Sequence, residues 1–371
     1  MGLETHVFAW KEGNVVLDIA DYFYPISILE KEKILKKCQQ IDIQGILSIA
    51  SDIAMPTVNY IAEKLNLVGN STESTLNSTD KFEMRKTLAA NGIPCPEFKL
   101  YQTANFDKKE KLEYPLIVKP TDRSGSRGVS KVVNSCQVNA AIKKALENSI
   151  NKRVIVEEYI NHSREFSVET ISYKGNHYPL AITDKITTGP PHFVEIEHHQ
   201  PAQINSFEKK AIYNLAQNCL QALGIENGAS HIELVLDKND NFKIIEIGGR
   251  MGGDFIGSHL VHLSTGFDFL KAVIEVSLDS FNINNYKNSF SGYAGVYFKF
   301  TPGGIVKDIS IDKNLNPHCI EVLPLVKIGD KVDEVLDSSN KRAGILIYQH
   351  PKKRLDLEIN AIFKIKVKDE K

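Results

Sequence analysis

Two stretches decide the fold: His231-Ile-Glu-Leu-Val-Leu-Asp237 and Phe242-Lys-Ile-Ile-Glu-Ile247, joined by Lys238-Asn-Asp-Asn241. Both alternate apolar and polar residues, and the connection is rich in Asn and Asp, which together read as a β-hairpin. With Asn239-Asp240 as a two-residue turn, Glu233 falls directly opposite Glu246. Directly opposed Cβ atoms lie about 4.5–5.5 Å apart. Two carboxylates that close repel each other unless a proton or a cation bridges them. A hard, oxygen-seeking cation such as Mg²⁺, with Mn²⁺ as a substitute, meets that need, with phosphate oxygens completing its shell. The competing reading is a solvated strand face with both acids in water.

Working outward, Glu246-Ile-Gly-Gly-Arg-Met-Gly-Gly253 places Arg250 in a glycine-rich loop able to approach a ligand closely. A guanidinium there suits a transferring phosphoryl group; a surface arginine is the plainer reading. Upstream, Tyr114-Pro-Leu-Ile-Val-Lys-Pro-Thr-Asp-Arg-Ser-Gly-Ser-Arg-Gly-Val129 reads as a buried strand that delivers Lys119 to its end. The loop Ser124–Val129 follows, and its amides could wrap phosphate oxygens. It is not a P-loop, because the lysine precedes the glycines, and an exposed turn is equally compatible. In Val154-Ile-Val-Glu-Glu-Tyr-Ile-Asn-His-Ser-Arg-Glu-Phe-Ser167 a strand exits into a turn beside two acids. Its edge could serve an adenine and Glu165 a ribose, or the segment is an ordinary charged hairpin.

Composition narrows the class. At 371 residues the chain suits two or three domains. Lys+Arg 45 against Asp+Glu 46 gives a net charge of −1, so nothing suggests a nucleic-acid partner. No apolar run approaches a membrane span, and the first residues resemble neither a signal peptide nor a myristoylation site. Five scattered cysteines without a Cys-x-x-Cys pair suit reduced thiols in a cytoplasm.

Residues 3–69 alternate strands (Thr5–Trp10, Ile43–Ala50) with helices (Ser27–Gln39, Ala54–Leu65), the pattern of a parallel βαβ sheet. Ser78 or Thr79 is expected to cap a helix from Asp80 to Ala90. Further helices are expected at Gln137–Glu147, Phe207–Leu223 and Asp268–Leu278. From Gly292 onward short strands and turns suggest an α+β tail.

Taken in order, these segments resemble the ATP-grasp superfamily: Asp80-Lys81, Ile-Val-Lys-Pro with its glycine loop, Glu-Glu-Tyr-Ile, then Glu233 and Glu246 with Arg250. The resemblance implies a mixed α/β and α+β chain with the ATP-grasp fold. A shortened N-terminal parallel α/β domain would cover residues 1–77, lacking the usual opening strand, glycine loop and helix. A two-lobed ATP-binding core would follow at 78–290, with lobes 78–156 and 157–290, and an α+β subdomain at 291–371. By position Lys81 and Lys119 resemble phosphate-binding lysines, and Ser124, Gly125, Ser126, Gly128 and Val129 a lid loop. Glu157 resembles the adenine contact, Glu158, Tyr159 and Ile160 the hinge, and Glu165 the ribose carboxylate. Glu233 and Glu246 resemble the magnesium ligands, and Arg250, with Lys119, the catalytic cations. Gly248 stands where many members have an asparagine, so one oxygen ligand is missing.

Thr187-Thr-Gly-Pro-Pro-His-Phe-Val-Glu-Ile-Glu-His198, Ser230-His-Ile-Glu233 and the run through Asp254-Phe255 are similar to L-amino-acid ligases and related carboxylate–amine ligases. That likeness places Glu195, His198, His231, Arg250, Gly252 and Gly253 near the substrate. Glu195–His199 also reads as a polar loop, or with His192 as a metal cluster. The implied activity is ATP-dependent amide formation through an acyl phosphate, from small-molecule carboxylate and amine substrates. A homodimer is the oligomer considered. Two rivals are a bicarbonate-activating carboxylase-like enzyme, for which no Met-Lys-Met carrier site is present, and a non-catalytic ATP-binding regulator.

Overall fold

Polar caps set where the helices begin. The Ser71 side chain accepts from Ser74 N–H and opens one helix; Asp80 accepts from Phe82 and Glu83 N–H and opens the next. The expected caps Ser78 and Thr79 do not serve. Both lie inside the earlier helix, and both hydroxyls donate back to Thr75 O instead. Asn205 and Glu208 form a reciprocal capping box on a longer helix further on.

The structure is a computed structural model describing residues 1–106, 112–125, 127–189, 192–336 and 338–368. In chain order it contains β1 (His6–Phe8), β2 (Tyr22–Tyr24), α1 (Lys31–Ile41), α2 (Met55–Leu65), α3 (Thr72–Thr79), α4 (Lys81–Ala90) and β3 (Phe98–Tyr101). Next come β4 (Leu116–Pro120), β5 (Ser130–Val132), α5 (Ser135–Asn148), β6 (Val154–Glu158), β7 (His162–Tyr173), β8 (Asn176–Thr187) and β9 (Glu195–Gln200). Then follow α6 (Ser206–Ala222), β10 (Gly228–Asp237), β11 (Phe242–Gly248), α7 (Val261–Thr265), α8 (Phe269–Ser277) and β12 (Tyr293–Lys299). The chain closes with β13 (Gly304–Ile311), β14 (Cys319–Pro324), β15 (Lys331–Val332), β16 (Gly344–His350), α9 (Ile359–Ile362) and β17 (Phe363–Lys368).

Two sheets hold the site. A four-stranded sheet, β3-β6-β4-β5, rests on α5 through Leu116, Val118, Val138, Ile142 and Val156. An eight-stranded sheet runs β11-β10-β7-β8-β9-β12-β16-β14. It therefore passes through residue 290 and continues with strands of the tail. Met84 and Leu88 of α4 and Ile212, Ala216 and Leu220 of α6 join Phe166, Ile232 and Ile244 in its main core. Each fully buried Leu, Ile, Met or Phe side chain among these contributes about 1.5–3 kcal/mol.

Near the N-terminus β1 and β2 form a parallel pair, and α1 and α2 fall close to the expected helices. Ile43–Ala50, expected as a strand, is not one. A strand needs a neighbouring ladder, and this segment instead crosses α8 and the loop after β11. Ile49 O accepts from Met251 N–H at 3.0 Å, and a Cβ on Gly45 would lie 2.7 Å from Ser277 O. Among the described residues no helix is long and apolar enough to cross a membrane.

Candidate active site

The hairpin reaches its expected pairing by an unexpected route. Near the turn Leu236 pairs with Phe242 and Leu234 with Ile244, so the connection is Lys238–Asp240, one residue longer than the expected turn. The Asp237 carboxylate accepts from the Asn239 and Asn241 amides, and Asp240 takes a φ of 60° to close the loop. A register shift between Glu233 and Leu234 then restores the offset, and Glu233 faces Glu246. The residue this bulge leaves over is Ile245, whose carbonyl accepts from the guanidinium of fully buried Arg85.

Both carboxylates line a cavity of about 440 Å³ between the two sheets. Ile117, Lys119, Glu157, Glu158, Tyr159 and Ile160 line one side. Glu165, Lys185, Glu195, His198, His231, Glu233 and Glu246 line the other, with Arg250 and Gly253. Lys81, Ser124, Gly125 and Val129 complete its edge, so the cavity gathers most of the expected residues. Two glycines sit behind it. Gly128 has a φ of 76° and packs against Pro120, and Gly252 is buried where a Cβ would lie 2.6 Å from Glu169 Oε1. Ser126, like Pro190 and Pro191 of the substrate motif, lies outside the described residues.

The acids are not bare. Lys81 Nζ donates to Glu246 Oε1 at 2.7 Å and to Arg123 O at 2.8 Å. Lys185 Nζ reaches Glu233, Glu195 at 3.0 Å and Glu165 at 3.5 Å. Burial would raise the Glu233 pKa, but Lys185 and His231 outweigh it and hold the carboxylate well below the usual range. Glu165 shifts the other way: burial, together with Glu233 and Glu195, exceeds the pull of Lys185 and raises it. Behind Glu233, His231 bridges to the buried Glu169, whose other oxygen accepts the Gly252 amide at 2.8 Å. Burial disfavours charge on His231, but Glu169 raises its pKa to about 9. Two opposed hard oxygen donors, each already attracting an ammonium, form a set suited to a divalent cation.

The remaining cations are also engaged. Lys119 bonds Glu157, which also accepts from Arg85 Nε at 3.2 Å; all three side chains are buried. Lys131 lies 3.5 Å over the ring of Tyr159, and Lys243 reaches Glu158 at 3.4 Å. Arg250 presents a fork to Asp52, with Nε–Oδ1 and Nη2–Oδ2 both at 2.8 Å. Burial works against its charge, and Asp52 outweighs burial to raise its pKa.

Glu195 and His198 lie on β9, so this segment is a strand and not a polar loop. Their third partner is Asp254, while His192 is exposed outside the group. Glu195, His198 and Asp254 bring potential ligand atoms within 4.8 Å of one another. Arg342 already spans the two acids, 2.7 Å from Asp254 and 3.2 Å from Glu195. His198 is fully buried, and among the described residues neither ring nitrogen has a hydrogen bond, Nε2 lying 3.8 Å from Asp254 Oδ2.

Sequence reasoning missed Asp52, Arg85, Glu169, Lys185, Asp254 and Arg342. Lys185 and Glu169 sit in alternating strands and carry a weak signal, being charged residues on faces that also carry apolar ones. Asp254 closes the glycine-rich run already singled out, and Asp52, Arg85 and Arg342 have no local signature.

Comparison with known proteins agrees with this architecture. Residues 112–258 match the ATP-grasp domain. Alanine–anticapsin ligase of Bacillus subtilis is 27% identical over 277 residues, covering 66% of this chain and 58% of the relative. D-alanine–D-alanine ligase of Thermosipho africanus is 27% identical over 247 residues, covering 61% and 65%. The chain thus spans about three-fifths of the length of these curated relatives. The crystal structure of an L-amino acid ligase from Bacillus licheniformis superposes with a TM-score of 0.86 at 24% identity, covering 99% of this chain and 93% of that one. On the sequence match and the superposition together, the chain contains an ATP-grasp domain and has the ATP-grasp fold.

Proposed function

We propose that this protein is an ATP-dependent carboxylate–amine ligase with an amino acid among its substrates. The observation that carries the reading is the Glu233–Glu246 pair, which lines one cavity together with Lys81, Lys119 and Arg250. A phosphoryl group moving between two oxygens needs positioning and charge neutralisation more than covalent chemistry, and these groups supply both. Glu233 and Glu246 would hold Mg²⁺, which supplies positive charge to the phosphates. Lys81 and Lys119 neutralise phosphate charge from the side of the small sheet. Glu158, Tyr159 and Ile160 offer strand-edge groups to the adenine, and Glu165 is placed for a ribose. Arg250 faces the point where charge builds on the transferring group.

The γ-phosphoryl group passes to a carboxylate oxygen, and ADP leaves. The amine nitrogen then attacks the acyl carbon, the carbon–oxygen bond breaks, phosphate departs, and the nitrogen gives up a proton. Glu195, His198 and Asp254 line the same cavity, and Arg342 bonds both acids, a group suited to the acid and amine substrates. Two relatives named as ligases of alanine support amide formation over bicarbonate activation. The test is ADP release with amino-acid pools, the products read by mass spectrometry. Amide formation in step with ADP supports the proposal; ADP release that requires bicarbonate, or none with any pool, overturns it.

A further inference from the structure

Position 248 has no room for a side chain. A Cβ there would lie 2.9 Å from Asp52 Oδ1, 3.0 Å from Arg250 Cζ and 3.2 Å from Arg250 Nε. Gly248 is not among the residues of positive φ, so glycine is required here for space and not for backbone shape. The atoms that fill the space are the Asp52–Arg250 ion pair, whose partners are 198 residues apart in sequence. A second bond close by, Met251 N–H to Ile49 O at 3.0 Å, fixes the same N-terminal segment to the same loop. Asp52 also lines the cavity and lies close enough to Lys81 to favour its charge.

Arg250 has other carboxylates within reach of its charge, Glu233 and Glu246. A guanidinium released from Asp52 would be drawn to one or both, since a bidentate carboxylate contact is strongly favoured. It would then occupy the oxygens that a cation needs. We infer that Asp52 is a positioning residue, holding Arg250 clear of the glutamate pair and facing the cavity, and that Gly248 is the gap that admits it. The expected effect on turnover rests on the proposed ligase reading; the geometry of the trio does not.

The experiment is a cycle of Asp52→Ala, Gly248→Ala and the double variant, with Asp52→Asn as a near-isosteric control that preserves packing. Two quantities are read: the Mg²⁺ concentration giving half-maximal ADP binding by calorimetry, and kcat beside KM for ATP. Asp52→Ala is expected to raise the Mg²⁺ requirement roughly tenfold and to lower kcat by a similar factor, the scale of a lost charged hydrogen bond. Asp52→Asn, keeping one acceptor, should recover part of both. Gly248→Ala should show the same defect, and the double variant should be no worse than Asp52→Ala alone. Defects that multiply, or an unmoved Mg²⁺ requirement in Asp52→Ala and Asp52→Asn, overturn the inference. If the wild-type protein ligates nothing, the functional proposal fails while the Mg²⁺–ADP titration still judges Asp52.

Discussion

Lys81 Nζ lies 2.7 Å from Glu246 Oε1 and 2.8 Å from Arg123 O, so one ammonium joins the carboxylate pair to the mouth of the glycine loop. Burial opposes its charge, but Glu246 outweighs burial and keeps its pKa above the ordinary lysine value. It is therefore a fixed positive charge at working pH.

Replacing Lys81 with Met should keep most of its packing and remove that charge. ADP affinity is expected to fall about 10- to 100-fold, the range for a lost charged hydrogen bond. Calorimetry with ADP checks this, and an unchanged Kd would remove Lys81 from the nucleotide site.

Glu246→Gln keeps size and shape but halves the charge of the pair. Turnover should disappear at limiting magnesium while far-ultraviolet circular dichroism stays that of the wild type. Full activity under those conditions would rule out the cation assignment.

Glu157→Gln strands two buried cations, Lys119 and Arg85. Breaking a buried ionic group by removing one partner destabilises by about 3–5 kcal/mol, measurable by urea unfolding at pH 7. The pH dependence has a definite sign. Burial raises the Glu157 pKa, but Lys119 and Arg85 outweigh it and hold the folded value below the usual 4.5. Its ionised form thus stabilises the fold above pH 4.5, and that contribution fades as pH falls through the folded pKa. The wild type should lose stability on acidification over that window more steeply than the variant. Parallel curves would contradict the arrangement.

Arg250→Lys keeps the charge and loses the fork that grips Asp52 with two bonds. Because the proposed contact strengthens as charge develops on the moving group, kcat should fall more than ATP affinity. A loss on the order of 10²-fold is expected. Steady-state kinetics within about twofold of the wild type would exclude Arg250 from the mechanism.

What was legible in the sequence was local. Alternation marked β10 and β11, and the stretch Phe207–Leu223 ending at Gly224 marked α6, because those patterns act within a few residues. The N-cap of α4 was misplaced by one or two positions because Ser78, Thr79 and Asp80 all suit the role. Only the preceding helix, itself unforeseen in a polar stretch, shows that the two hydroxyls are already used. Ile43–Ala50 has a strand's composition, yet a ladder depends on what lies beside it. Asp52 and Arg342 were invisible for the same reason: each finds its partner 198 or 147 residues away, a distance no window spans.

The bulge at Ile245 also separates two tasks that a plain hairpin would bind together. In a regular ladder, any residue gained or lost at the turn slides every pair below it and sends alternate side chains to the opposite face. Here the Arg85 guanidinium holds the Ile245 carbonyl from outside the hairpin, so the facing of Glu233 and Glu246 is set locally. The tip at Lys238–Asp240 is thereby released from the chemistry. Insertions there would be absorbed as loop, leaving the exposed end of the hairpin free to diverge while the carboxylates keep their places.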